Sequence, residues 1–167
     1  MEHDLDLGTT VSTEEKYDKA RRGIWSNPPL LYVTQSVAQT LTTSTLTKIT
    51  FTNVVTDTRS AYTTATSTYT VAVAGWYWFS AIVHYASNAT GVRVTHAVQN
   101  GVGSPVLSHG AAANSSQILS TVNSAPILCA VGDTLIIEGF QSSGGNLSTQ
   151  VSVGYQSSWS LEWLRIP

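Results

Sequence analysis

Gly75-Trp76-Tyr77-Trp78-Phe79-Ser80-Ala81-Ile82-Val83-His84-Tyr85 is the stretch that decides how this sequence folds. Side chains alternate across a strand, so one face carries Tyr77, Phe79, Ala81, Val83 and Tyr85, and the other Trp76, Trp78, Ser80, Ile82 and His84. An antiparallel sheet with one wetted side has a polar second face, and here that face is substantially aromatic. The C-terminal segment repeats the feature, with Trp159, Leu161 and Trp163 on one side and Leu164 and Ile166 on the other. A strand apolar on both faces is expected to be buried on both. A chain of 167 residues is too short for a third layer. Two covers remain: another copy of the chain, or the chain's own loops.

Outward from that stretch the signals remain those of strands. Threonine fills fifteen of the 37 positions from Thr34 to Thr70, and its branched side chain favours strands and turns over helix interiors. The pattern predicts strands over Leu30–Thr34, Leu46–Asn53, Thr68–Val73, Trp76–Ser87, Val92–Gln99, Gln117–Val122, Thr134–Gln141, Leu147–Val153 and Trp159–Ile166. Turn signals separate them at Ala74-Gly75, Asn88-Ala89-Thr90-Gly91, Asn100-Gly101, Gly132-Asp133 and Ser142-Ser143-Gly144-Gly145-Asn146. Many short strands without a convincing helix indicate an all-β sandwich or barrel.

Charge is spread unevenly. Residues 1–25 hold six acids and four bases, and the remaining 142 residues hold only eight charges. With Asn27-Pro28-Pro29 this break divides the chain into a charged arm, residues 1–29, and a β domain, residues 30–167. In the arm, Ser12 and Glu15 fit a capping box, and Glu15 to Lys19 and Asp18 to Arg22 are i,i+4 pairs. Arg21 and Arg22 lie in the last turn, suiting the helix dipole, and the apolar face is only Tyr17, Ala20 and Ile24. Such a helix is short enough to be marginal alone. A disordered tail and a docked anchor both fit the pattern. Trp25 at the junction reads equally as an apolar plug for the arm or as packing under its own domain.

The net charge of -2 and the absence of a basic stripe exclude a nucleic-acid binder. An acidic start instead of a basic, apolar leader, and the absence of a long apolar run, lead us to expect synthesis in the cytoplasm and no membrane insertion. The single cysteine, Cys129, follows Pro126-Ile127-Leu128 and reads as a small buried apolar side chain. The histidines His3, His84, His96 and His109 lack zinc-ligand spacing. The β domain's acids, Asp57, Asp133, Glu138 and Glu162, are too sparse for a calcium cage, and no nucleophile elbow or phosphate loop is present. The reading is a non-enzyme with no cofactor and no metal.

Four segments then carry a resemblance. Gly75-Trp76-Tyr77-Trp78-Phe79-Ser80 resembles the G-x-Y-x-F-S strand of the complement C1q and tumour necrosis factor (TNF) superfamily. Asn100-Gly101 falls where that family has its hairpin Asn-Gly. Leu128-Cys129-Ala130-Val131-Gly132-Asp133-Thr134-Leu135 resembles its L-x-x-x-G-D-x-L segment, and Ser158-Trp159-Ser160-Leu161 its closing S-F-S strand. Order and spacing match over roughly residues 30–167. The resemblance implies a ten-stranded antiparallel jelly-roll sandwich that forms a homotrimer. Trp76, Tyr77, Trp78, Phe79, Ile82, His84, Trp159, Leu161 and Trp163 would then supply its interface and core.

Tyr85-Ala86-Ser87-Asn88-Ala89-Thr90-Gly91 and Gln141-Ser142-Ser143-Gly144-Gly145 further resemble segments of bacteriophage decoration and fibre proteins. The function this implies is a virion-surface structural protein. Its arm (Ser12, Glu15, Tyr17, Lys19, Arg21, Arg22, Ile24, Trp25) would hold a major capsid protein. The alternatives are the receptor- or glycan-binding tip of a tail fibre, with Asn88, Thr90, Ser142 and Asn146 meeting host-surface sugar, and, third, a secreted cytokine-like ligand.

Overall fold

A computed structural model describes residues 27–101, 105–114 and 119–167. Fifteen strand segments are present among them: β1 (Leu30–Thr34), β2 (Thr40–Leu41), β3 (Thr47–Lys48), β4 (Asn53–Asp57), β5 (Tyr62–Thr63), β6 (Thr68–Thr70), β7 (Gly75–Tyr85), β8 (Asn88–Gln99), β9 (Pro105–Asn114), β10 (Leu119–Cys129), β11 (Thr134–Gln141), β12 (Leu147–Ser148), β13 (Val151–Ser152), β14 (Tyr155–Gln156) and β15 (Ser158–Arg165). They build two facing antiparallel sheets. One runs β10-β7-β15-β1-β4, the other β5-β6-β11-β8-β9 with β3 also paired to β11. Pairing that skips along the chain, β7 with β15 and β1 with β15, is the crossing pattern of a jelly roll.

The core lies between the sheets and follows the alternation of β7. Tyr77, Phe79, Ala81, Val83 and Tyr85 all point into it. Trp159, Leu161 and Trp163 of β15 and Leu31 and Val33 of β1 continue the same face. Leu135 and Ile137 of β11, with Ala97 of β8, close it from the other sheet. Trp159 packs against Phe51, Tyr62 and Phe79 at ring-centroid distances of 6.3, 5.6 and 5.9 Å. Close packing also explains a glycine. A Cβ on Gly75 would lie 2.3 Å from the Trp163 indole nitrogen, which donates to the Ala74 carbonyl instead.

Strand direction gives the sandwich two distinct ends. Pro28–Leu30, Gly75, the Asn100-Gly101 hairpin, the Ala130–Asp133 turn and Arg165 share one end, here the base. The chain enters and leaves there, and Pro29 accepts a backbone bond from Trp163. The opposite end, the tip, gathers Thr34, Tyr85, Asn88, Gln141 and Ser158. At the base Asp133 is a clasp: its carboxylate accepts from Gln99 Nε2 (2.6 Å), Asn100 Nδ2 (2.7 Å) and the Ala130 amide (2.7 Å). These bonds favour the ionised form and hold the Asp133 carboxyl below its ordinary range.

Several boundaries differ from the sequence reading. The strand expected over Leu46–Asn53 breaks after Lys48, because Gln39 donates to the Lys48 carbonyl and accepts from the Thr50 amide, replacing ladder bonds. β4 then begins where that strand was expected to end. Over Leu147–Val153 there are two short pieces, β12 and β13. β10 extends to Cys129 through Pro126, which an edge strand paired only with β7 tolerates. β9 was not foreseen, since Gly110-Ala111-Ala112 has little strand propensity of its own. Asn88–Gly91, expected as a turn, starts β8 as a bulge: Asn88 faces Asn114 but Val92 already faces Ala112.

Candidate assembly face and tip loops

The outward side of the five-stranded sheet carries the second face of β7. Trp76, Trp78, Ser80, Ile82 and His84 of β7 point away from the core. Across the ladder they meet Glu162, Ser160 and Ser158 of β15, then Leu30, Tyr32 and Thr34 of β1. Pro126 and Leu128 of β10 extend the row on the other side. At the tip the chain's own segment after β12 covers part of this face, burying His84 and Thr34, while among the described residues the part nearer the base stays open. Trp78 is 43% exposed, Tyr32 40% and Leu128 48%, with Leu30, Leu164 and Ile166 open beside them. The apolar part is concentrated toward the base, while Ser80, Ser158 and Ser160 thin it out toward the tip.

The nine residues expected at interface or core therefore divide by parity. Tyr77, Phe79, Trp159, Leu161 and Trp163 are buried inside one chain and form its core. Trp76, Trp78 and Ile82 lie outward. His84 lies outward too but is buried, its ring edge-on to Tyr155 at 5.7 Å. Burial lowers the His84 pKa. Sequence reasoning missed Tyr32, Leu30 and Leu128 as members of the face. Only the lateral pairing of β1 and β10 with their neighbours brings them there.

At the tip the structure brings together two segments that lie some fifty positions apart in the sequence. The Ser142 hydroxyl accepts from the Val92 amide at 3.0 Å, and the Ser142 amide donates to Val92 O at 3.2 Å. Asn88 turns its carboxamide oxygen onto the Thr90 amide. Thus Asn88, Thr90 and Ser142 form one patch. Asn146 ends the same Ser142–Asn146 loop, whose Gly145 carbonyl accepts from Gln141. Beneath the patch Arg93 is buried. Its guanidinium donates to the carbonyls of Thr90 (2.9 Å), Val92 (3.0 Å) and Asn88 (3.3 Å), and burial lowers its pKa. The eight anchoring-arm residues, Ser12 to Trp25, lie outside the described residues.

Other candidate chemistry is dispersed. Among the described residues no three of His, Cys, Asp or Glu come together as a metal-binding group. Cys129 is buried, and burial with Asp133 nearby pushes its thiol up to about 12. His96 sits opposite Glu138 in the ladder, and burial lowers its pKa against the raising effect of that carboxylate. No helix among the described residues is long and apolar enough to cross a membrane.

Comparison with known proteins agrees with this architecture. The family model described as the C1q domain matches residues 32–153, most of the chain. The chain belongs to the C1q-domain family. Its C1q fold superposes on the globular domain of zebrafish complement 1qA with a TM-score of 0.63 at 16% identity, covering 83% of this chain and 99% of that one. Eiger TNF from S. frugiperda gives 0.64 at 12% identity, covering 83% and 95%, and murine APRIL at pH 5.0 gives 0.64 at 11%, covering 81% and 98%. At these identities the likeness is one of fold. A search of curated proteins returns no match. C1q and TNF domains are in general non-enzymatic binding or structural modules.

Proposed function

We propose that this C1q domain is a non-catalytic homotrimer displayed on the surface of a virion and held there by its N-terminal arm. The supporting observation is the outward face of the five-stranded sheet. Trp78, Tyr32, Leu30, Leu128 and Leu164 are exposed apolar side chains there, with Glu162 between Trp78 and Leu30, and the described residues leave them open. Apolar surface of that extent on a soluble domain marks a contact, and three-fold closure lets each copy cover the next. Three arms then leave from the same base, and linked weak contacts multiply, so a marginal helix in each can hold a capsid protein.

The second reading, a glycan-binding tail-fibre tip, is favoured by one feature. Asn88, Thr90 and Ser142 meet in a single polar patch at the end opposite Pro28–Leu30. Sedimentation of the full chain beside W78E tests the assembly. The wild type sediments as a trimer, and the variant, charged at the centre of the face, as a folded monomer. A wild-type monomer at micromolar concentration refutes the proposal. Glycan-array binding by a trimer that ignores capsids selects the second reading.

A further inference from the structure

Between β12 and β15 the chain makes an excursion that the sandwich itself does not need. Thr149 bridges Tyr85 and the Gln150 amide donates to His84 O, so the chain is already laid along the tip end of β7. It returns at Ser157, whose hydroxyl accepts from the His84 amide, and resumes the ladder at Ser158 opposite Ile82. Residues 151–156 form a separate two-stranded hairpin, Val151 opposite Gln156 and Ser152 opposite Tyr155. The hairpin rises on the outward side, because Tyr155 sets its ring edge-on against the outward-pointing His84 at 84°. So short a ladder is marginal alone, and Gln156 also ties it back by donating to Gln35 O.

The apex is the unusual part. Turns favour Gly, Asn, Asp and Ser, and Gly154 with φ +83° meets that need. Its partner at the apex is Val153, which at 102% exposure gives its whole side chain to solvent. A single exposed valine is ordinary on a protein surface. This one stands at the apex of a hairpin whose Tyr155 lies on the outward-pointing His84, in a segment, Val-Ser-Val-Gly-Tyr-Gln, without a charge. Covering it with another protein surface therefore leaves no charge to desolvate.

We propose that the Val151–Gln156 hairpin is a clasp that reaches across the seam of the trimer and seats Val153 on a second copy of this chain. The inference rests on the assembly reading above, since an element raised on the outward side of that sheet meets the neighbour once outward faces are covered by copies. The apolar contact of the sheet lies mainly at the base, and the clasp closes the tip half, where Ser80, Ser158 and Ser160 offer little apolar area.

Two measurements on the full chain test it. V153D places a charge at an exposed turn position, so the domain still folds. The concentration at which trimers dissociate is expected to rise at least tenfold. In the assembled protein V153C reacts with a maleimide at least tenfold more slowly than V131C, a control on the exposed base turn (Val131, 66% exposed); buried Cys129 is common to both. A wild-type trimer with V153D equally tight and V153C as reactive as V131C overturns the clasp and leaves the trimer standing. A wild-type monomer removes both.

Discussion

Gly91 has φ +75°, and a Cβ there would lie 2.0 Å from the Ser142 carbonyl oxygen. Backbone conformation and lack of room act together, so G91A is expected to cost about 1–3 kcal/mol in urea unfolding. Arg93 below it carries the same patch from inside. R93M leaves the carbonyls of Asn88, Thr90 and Val92 without their donor and lowers stability by about 1–3 kcal/mol on the same assay. Titratable residues set the pH range. The lowered pKa values of His84 and His96 mean that the unfolded chain binds more protons, so stability falls as pH drops below about 6.5. Cys129 and Tyr69 are both pushed up to about 12 from 9.0 and 10.0, so stability declines as pH rises above 9.0. A plateau between those limits, bounded by both declines, is the expected result of urea midpoints measured from pH 5 to 11. Midpoints flat across that span contradict the assignment.

Among the elements, β7 does two jobs with one sequence. Its even-spaced set from Tyr77 to Tyr85 is core, and its complement from Trp76 to Ile82 faces outward. F79A leaves a cavity between the sheets and is expected to cost about 3–5 kcal/mol of unfolding free energy. Trp78 is already wetted in the single chain, so W78A leaves domain unfolding, followed on the dissociated protein, within about 1 kcal/mol and acts on assembly. Equal losses for the two variants in urea contradict that division of labour. The edges of the sheet obey different rules. β10 admits Pro126 because only β7 pairs with it, and its own propensity matters less than the eleven-residue ladder it joins.

At the scale of the molecule the fold sorts polarity along its axis. The chain enters and leaves at the base, where the apolar outward surface is broadest, and the Ser- and Asn-containing loops gather at the tip. That separation suits a protein fixed at one end and presenting the other. On the virion-surface proposal, deleting residues 1–25 leaves a trimer of correspondingly lower mass by sedimentation and abolishes attachment to capsids, measured by co-sedimentation with particles. Attachment that survives the deletion assigns the anchor elsewhere.

What the sequence alone determined was local and periodic. Strand alternation in residues 75–85 and 158–165 sorted the side chains onto two faces and marked both as apolar, without saying which was the core. Charge density led us to expect a boundary near Pro29, and the Gly132-Asp133 signal put Asp133 in a turn. Period and composition are properties of neighbours in the chain, so they are legible without a fold. The structure decided what depends on lateral register. Strand pairing put Tyr32, Leu30 and Leu128 beside Trp78, joined Gly91 to Ser142, and set the Val151–Gln156 hairpin over His84. Those contacts span tens of residues and arise only when two sheets close on one core, and the short propensity signal of β9 or β13 cannot announce them in advance.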